Sequence, residues 1–347
     1  TMLSGKQPYV YGRRGTPTVD ALASLLAELD GAAGVMLAPS GLSAVSTALL
    51  SVLGAGDHLL VTDSVYQPTR HLCQTVLSRL GIETTYYDPL IGAGIETLIR
   101  PNTKAIMMES PGSQTFEVQD VPAIVDVARR RGVRTVVDNT WATPLFFRPL
   151  DLGVDIALMA GTKYVGGHSD VMLGTIAANA EAFPALKQVH GSLGLCVGPD
   201  DINLSLRGLR TMKVRLDRHR SSAIEVAAWL GGRPEVARVL HPGLPGDPGH
   251  ALWSRDFTGS SGLFSFVTTP CSFEAVRAML DGLELFGLGY SWGGFESLAI
   301  VADPRKSRSA TRWGDPGHLI RLHIGLEDPA DLIADLTAGL DRLRAVG

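Results

Sequence analysis

VMLAPSGLSAVSTALLSVLGAGDHLLVT, residues 35–62, is the stretch that decides the fold of this chain. Val35–Ala38 is an apolar run of strand length, closed by Pro39 and Ser40. From Gly41 onward Leu42, Val45, Leu49, Val52 and Leu53 recur at helical spacing. His58–Thr62 then returns to a strand pattern. Strand, helix and strand in succession is the unit from which parallel sheets are built.

The same rhythm continues outward. Pro68–Leu80 reads as a helix with proline in its first turn, Ile82–Tyr86 and Lys104–Glu109 as strands with a short helix between them. Val121–Arg131 is a helix, Val133–Val137 a strand, and Ile156–Met159 and Met172–Ala177 are further strands. The alternation predicts an α/β fold with a large, mostly parallel sheet and helices on both faces. In such sheets the ligand lies outside the carboxyl ends of the strands, which gives a test for every candidate site residue. On the amino-terminal side the chain is polar and rich in Gly, Pro and Arg to about Val19, which predicts an arm over residues 1–20 with no regular element. On the other side a long helical region, Asp200–Gly231, leads into strand candidates at Leu263–Thr268, Leu283–Gly289 and Leu319–Ile324. Asp328 and Pro329 open a last helix with an apolar stripe at Leu332, Leu336, Leu340 and Leu343. The expected division is therefore an arm (1–20), a large domain (21–209) and a smaller C-terminal α/β domain (210–347).

Composition narrows the function classes. The 347 residues are 45% hydrophobic and 19% charged, the balance of a water-soluble globular protein with room for two domains. No apolar run is long enough to span a bilayer, and the first residues have no signal-peptide shape, so a cytoplasmic protein is expected. A net charge of −4 gives no reason to expect nucleic acid or an anionic membrane as partner. Cys73, Cys196 and Cys271 form no C-x-x-C pair and read as free thiols of a reducing compartment. Arg207, Arg210, Lys213, Arg215, Arg218 and Arg220 fall around most of one helix and read as a solvated face.

Three features fall at strand ends. Ser40-Gly41-Leu42-Ser43 joins a strand to a helix, and a helix N-terminus offers unpaired N–H groups and partial positive charge to a phosphate. Asp138 follows Val133–Val137 directly, where a carboxylate can pair with a protonated heterocyclic nitrogen. Gly161-Thr162-Lys163-Tyr164, followed by Gly166-Gly167-His168-Ser169-Asp170, places a lysine among small residues just after another strand. Such a lysine can form a Schiff base if its surroundings lower its pKa, and Thr162 and Ser169 offer hydroxyls to a phosphate. His168 and Asp170 match no common metal-ligand spacing, and no metal is expected. An anion seat, a carboxylate and an amine are together what pyridoxal 5′-phosphate requires.

The chain also resembles the transsulfuration enzymes of cysteine and methionine metabolism. The resemblance runs from Tyr11 onward, through Tyr11-Gly12-Arg13-Arg14-Gly15-Thr16-Pro17-Thr18, the Ser40 turn, Val65-Tyr66, Asp138-Asn139-Thr140, Thr162-Lys163-Tyr164 with Gly167-His168-Ser169-Asp170, Ser291-Trp292-Gly293-Gly294-Phe295-Glu296-Ser297, and Arg321. It implies the PLP-dependent transferase-like fold, aspartate-aminotransferase-like (fold type I). It also implies a homotetramer, a dimer of dimers, in which Tyr11 and Arg13 reach the phosphate of a neighbouring subunit. By the same resemblance Ser40, Gly41, Leu42 and Thr162 bind the phosphate, Tyr66 stacks on the ring, Asp138 holds its nitrogen and Lys163 carries the cofactor. Tyr11, Tyr66, Ser291, Trp292 and Arg321 then meet the substrate, with Arg321 on its carboxylate, and Lys163, Tyr66 and Asp138 are the catalytic set.

Within that family, three details resemble the members that split cystathionine by β-elimination. Tyr66 precedes Gln67-Pro68-Thr69 rather than Gly-Gly-Thr, Pro111-Gly112-Ser113 replaces an Asn-Pro pair, and Tyr290-Ser291-Trp292 fills a pocket that γ-acting relatives often line with Glu and a small aliphatic residue. The expected substrate is a small sulfur amino acid, and the expected activity is a carbon–sulfur lyase that yields homocysteine, pyruvate and ammonia. A cystathionine or methionine γ-lyase, a γ-synthase and a broader cysteine-S-conjugate (cystine) β-lyase are the alternatives. Outside the enzyme class stand a degenerate binding protein, which retention of Lys163, Asp138 and Arg321 opposes, and a nucleic-acid binder, which the acidic charge opposes. Two departures from the family stand out. Ala160 replaces a Ser that would supply a phosphate hydroxyl, and the chain begins later than typical members, without their N-terminal pairing segment.

Overall fold

The computed structural model describes residues 9–347. Its larger sheet contains β1 (Gly34–Ala38), β2 (His58–Thr62), β3 (Glu83–Tyr87), β4 (Thr103–Glu109), β5 (Arg134–Asp138), β6 (Ile156–Ala160) and β7 (Gly174–Ala178), in the order β1-β7-β6-β5-β4-β2-β3. Strands β2 to β6 pair in parallel, and β7 is antiparallel to both β1 and β6. The mostly parallel sheet of the sequence reading is present, with one reversed strand.

The helices associated with this sheet are α1 (Pro17–Asp30), α2 (Gly41–Leu50), α3 (Gln67–Leu72), α4 (Val121–Arg131), α5 (Thr143–Phe146), α6 (Phe183–Ser192) and α7 (Pro199–Gly231). Successive strand residues point to opposite faces, so each strand feeds two cores. Ile106 and Met108 join Leu22 and Leu26 of α1 and Ile124 of α4 on one side. Ala105 and Met107, one residue out of step, join Val45 and Leu49 of α2, Leu72 of α3 and Leu186 of α6 on the other. This is why β2 is apolar almost throughout: all five of its residues are buried.

The smaller sheet holds β8 (Val236–Leu240), β9 (Leu263–Thr268), β10 (Gly287–Leu288), β11 (Leu298–Ala302) and β12 (Leu319–His323), in the order β10-β11-β12-β9-β8. It is antiparallel apart from β10 with β11. Besides α8 (His250–Asp256), this half contains α9 (Phe273–Asp281) and α10 (Pro329–Val346). Val276 and Met279 of α9 and the predicted Leu332, Leu336, Leu340 and Leu343 stripe of α10 form its core with the end of α7. Helix α7 passes from one body to the other. Met212 and Leu216 lie in the first core and Ala223, Val226 and Leu230 in the last, so Arg210, the expected border, lies inside a continuous helix.

Several local expectations change. Residues 1–8 of the arm lie outside the described residues, and the arm does not extend to residue 20: α1 starts at Pro17, with the Thr16 hydroxyl accepting the Val19 N–H. The helix expected over 68–80 contains a wider π turn at Cys73–Leu77. The strand expected over 283–289 is reduced to the two residues of β10. Strands β8 and β11 and helices α8 and α9 add to the expected elements, although β11 is apolar throughout and α9 buries Val276, Met279 and Leu280 on one face. Arg215 does not belong to a solvated face: its guanidinium is buried, donating to Tyr164 O and Gly208 O at 2.8 Å each.

Candidate active site

All the parallel strands of the larger sheet point their carboxyl ends toward one edge, and a cavity of about 360 Å³ opens there. Its walls include Ser40, Gly41 and Leu42 after β1, Tyr66 after β2, Glu109 at the end of β4, Asp138 at the end of β5, Ala160 at the end of β6, and Thr162 and Lys163 just after it. Ser291 and Trp292 close it from the smaller-sheet side.

The start of helix α2 faces the cavity. Ser40 caps it, its hydroxyl accepting the Ser43 N–H at 3.1 Å, and Ser40 O accepts the Ala44 N–H. The N–H groups of Gly41 and Leu42 take no partner among the described residues and remain available at the positive end of the helix dipole. Gly41 is required by contact: a Cβ there would stand 2.6 Å from the Ala160 Cβ. The end of β6 thus lies directly against the start of the helix.

Lys163 sits in a turn in which its N–H donates to Ala160 O at 3.0 Å. Its Nζ donates to Ser291 Oγ at 2.7 Å and lies 5.2 Å from the centre of the Trp292 ring. Burial, helped by the charge of Arg321, brings the Lys163 amine down to about 8, so a sizeable neutral fraction exists near neutrality. Asp138 is held by Thr140, whose N–H and hydroxyl both donate to Oδ1. Burial raises its carboxyl above the ordinary value, against those two bonds.

Glu109 escaped the sequence reading. It ends β4 in register with Asp138 at the end of β5, and its Oε2 accepts the Tyr66 N–H at 2.7 Å. Burial, reinforced by the charge of Asp138, pushes its carboxyl well above the usual range. The strand-end rule that selects Asp138 selects Glu109 equally. Burial, Glu109 and Asp138 in turn raise the Tyr66 phenol.

The remaining predicted residues are distributed differently. Arg321 on β12 faces an adjoining cavity of about 420 Å³, which shares Tyr66, Pro68, Ser113 and Tyr290 with the first. Burial lowers its guanidinium to about 10, and Nη2 donates to Tyr290 O at 2.6 Å. Tyr11 is exposed, and Arg13 donates to Gly191 O at 3.1 Å, so neither lines the Lys163 cavity of its own chain. Thr162 lines the cavity, but its hydroxyl donates to Leu173 O and accepts Leu173 N–H. Ser169 is not a phosphate hydroxyl in this arrangement: its Oγ donates to Glu296 at 2.7 Å. Among the described residues no group of three or more His, Cys, Asp or Glu side chains is placed to hold a metal ion.

The arrangement fits a phosphate-bearing pyridine aldehyde. It combines free N–H groups at a helix end, a buried carboxyl for the ring nitrogen and an amine with a depressed pKa, all on one cavity. The comparisons agree. The model of the family described as "Cys/Met metabolism PLP-dependent enzyme" matches residues 2–341. A cystathionine beta-lyase of Salmonella typhimurium is 48% identical over 96% of this chain and 86% of its own length. A cystathionine beta-lyase of Escherichia coli is 47% identical over the same shares. The crystal structure of cystathionine gamma synthase from Xanthomonas oryzae pv. oryzae, in complex with aminoacrylate and cysteine, is 35% identical and covers 99% of this chain and 90% of its own, with a TM-score of 0.92. This chain, with its PLP-type fold and its lysine cavity, belongs to the PLP-dependent enzymes of cysteine and methionine metabolism.

Proposed function

We propose that the protein is a carbon–sulfur lyase that splits L-cystathionine by β-elimination into homocysteine, pyruvate and ammonia. The observation that carries the chemistry is Lys163, an amine brought to about 8 under Trp292 in the cavity that Asp138 also lines. The substrate follows the relatives named cystathionine beta-lyase, together with Tyr290 and Trp292 on the cavity wall.

Bound pyridoxal 5′-phosphate supplies an electron sink for the pair left when a proton departs from the substrate Cα. The residues do the rest. Lys163 holds the cofactor, with the N–H groups of Gly41 and Leu42 and the Ser40 and Thr162 turns around its phosphate. Asp138 keeps a proton on the ring nitrogen through charge attraction in a dry pocket. Arg321 orients the substrate by its carboxylate with a planar two-donor fork. Tyr66 Oη, a phenol kept protonated by its surroundings, orients the incoming amine by hydrogen bonding, and Lys163 Nζ, once displaced by that amine, takes the Cα proton. Ser291, bonded to Nζ at 2.7 Å, steers that amine, and Trp292 excludes water from it. Homocysteine leaves as the Cβ–S bond breaks, and hydrolysis of the remaining enamine gives pyruvate and ammonia. Tyr11 and Arg13 complete the site of a neighbouring subunit in a homotetramer, and the enzyme works in the cytoplasm.

The test is the keto acid formed from L-cystathionine. Pyruvate with homocysteine is the expected result. The Xanthomonas oryzae γ-synthase fold match favours one other reading, a γ-acting enzyme, for which the products are 2-oxobutyrate and cysteine.

A further inference from the structure

The loop Tyr290-Ser291-Trp292-Gly293-Gly294 supplies two walls of the site, and its position is set from strand β12. Arg321 and His323 are two residues apart on that strand and leave the sheet on the same face. Arg321 Nη2 donates to Tyr290 O at 2.6 Å, and Nε2 of His323 accepts the Gly293 N–H at 3.1 Å. Between these two anchors Ser291 Oγ meets Lys163 Nζ at 2.7 Å and Trp292 lies over the same nitrogen. Gly293 has φ +87°, and a Cβ there would come within 2.9 Å of the Lys163 backbone, so loop and lysine are packed without slack.

We propose that His323 is a positioning residue: as a neutral ring it holds the Gly293 N–H and so keeps Ser291 and Trp292 on the Lys163 amine. The proposal rests on the reading of Lys163 as the catalytic amine. The Gly293 N–H has no other acceptor among the described residues, and a buried unpaired N–H is unfavourable, so losing the acceptor releases the loop. Burial and the neighbouring charges outweigh the Gly294 carbonyl and favour the neutral form of the ring. It is buried, its centre lies 5.2 Å from that of His219 and 6.2 Å from that of Tyr164, and the charges of Arg321 and Lys163 oppose protonation. Nδ1 is buried without a partner, so the firm attachment of the ring is to the loop. Gly294 O lies 3.2 Å from the same Nε2, and a proton placed there would exchange the Gly293 amide for that carbonyl.

Three variants test the proposal: His323→Leu removes the acceptor at similar volume, His323→Gln places an amide oxygen near the position of Nε2, and His323→Asn carries one that falls short. Each is assayed as holoenzyme for kcat and KM. Each is also freed of cofactor, checked by circular dichroism, and labelled at Lys163 with acetic anhydride across pH, read by peptide mass spectrometry. The expected result is a kcat at least tenfold lower in His323→Leu and His323→Asn. Their labelling midpoint moves up toward that of an ordinary lysine, because water reaches Nζ, and His323→Gln restores both. Should His323→Leu fail to fold, the Gln and Asn pair decides. Equal behaviour of Gln and Asn, or a labelling midpoint unchanged in every folded variant, overturns the proposal. A Lys163→Ala variant that keeps its turnover overturns instead the reading on which it rests, because the labelling measurement stands apart from turnover.

Discussion

Lys163 shows most directly how one residue is tuned by its surroundings. Burial lowers its amine from 10.5 to about 8, so below pH 8 the folded, cofactor-free protein carries a charge in a site that disfavours it. The unfolded chain binds this proton up to pH 10.5, so stability rises with pH between 8 and 10.5. Replacing Lys163 by Met is expected to stabilise the cofactor-free protein by about 3 kcal/mol at pH 7, with the gain vanishing above pH 10.5; urea unfolding at several pH values measures it. The same substitution abolishes turnover. At Asp138 the expected outcome of Asp138→Asn is a fall in kcat of roughly a hundredfold or more, since a neutral amide no longer holds the ring proton. Single-turnover exchange of the substrate Cα hydrogen in deuterated water isolates that step.

Among the elements, the start of α2 has the sharpest requirements. Ser40→Ala removes the bond to the Ser43 N–H and is expected to lower stability by about 1 kcal/mol in thermal unfolding. Gly41→Val forces a side chain into Ala160 and pushes the helix end off the cavity, so cofactor affinity falls more than tenfold in an absorbance titration while the rest of the fold persists. The Ala160 departure now has a spatial meaning: its methyl group lies against Gly41, beside N–H groups of Gly41 and Leu42 that have no partner among the described residues.

For the molecule as a whole, the segment between β11 and β12 is tied to the larger body by the Arg308 pair with Glu117 and by a buried carboxylate, Asp63. Asp63, just beyond β2, accepts the N–H groups of Ser309, Ala310 and Thr311 and pairs with Arg70, whose guanidinium lies 3.6 Å from the centre of the Tyr86 ring. Burial works against its charge, yet the Ser309 and Thr311 bonds outweigh it and hold the carboxyl below its ordinary value. That stabilisation is present above the unfolded value near 4 and is lost as pH falls through the lower folded value. Asp63→Ala leaves Arg70 buried without its counter-charge, and a loss of about 3–5 kcal/mol is expected in chemical unfolding at pH 7.

The sequence by itself determined the α/β architecture, because strands buried on both faces must be apolar throughout and their helices must keep a 3.6-residue stripe. It determined Lys163, Asp138 and the Ser40 turn as candidates, because each follows a readable strand at the end where such sheets place ligands. Glu109 obeys the same rule and was passed over because a lone glutamate at a strand end has no distinguishing neighbour in the chain. Only the tertiary structure could show that Ser291 meets Lys163, that His323 holds Gly293, and that Arg215 is buried behind Tyr164. These contacts join residues 30 to 128 positions apart, and no local pattern encodes which distant groups a folded chain brings within hydrogen-bonding reach.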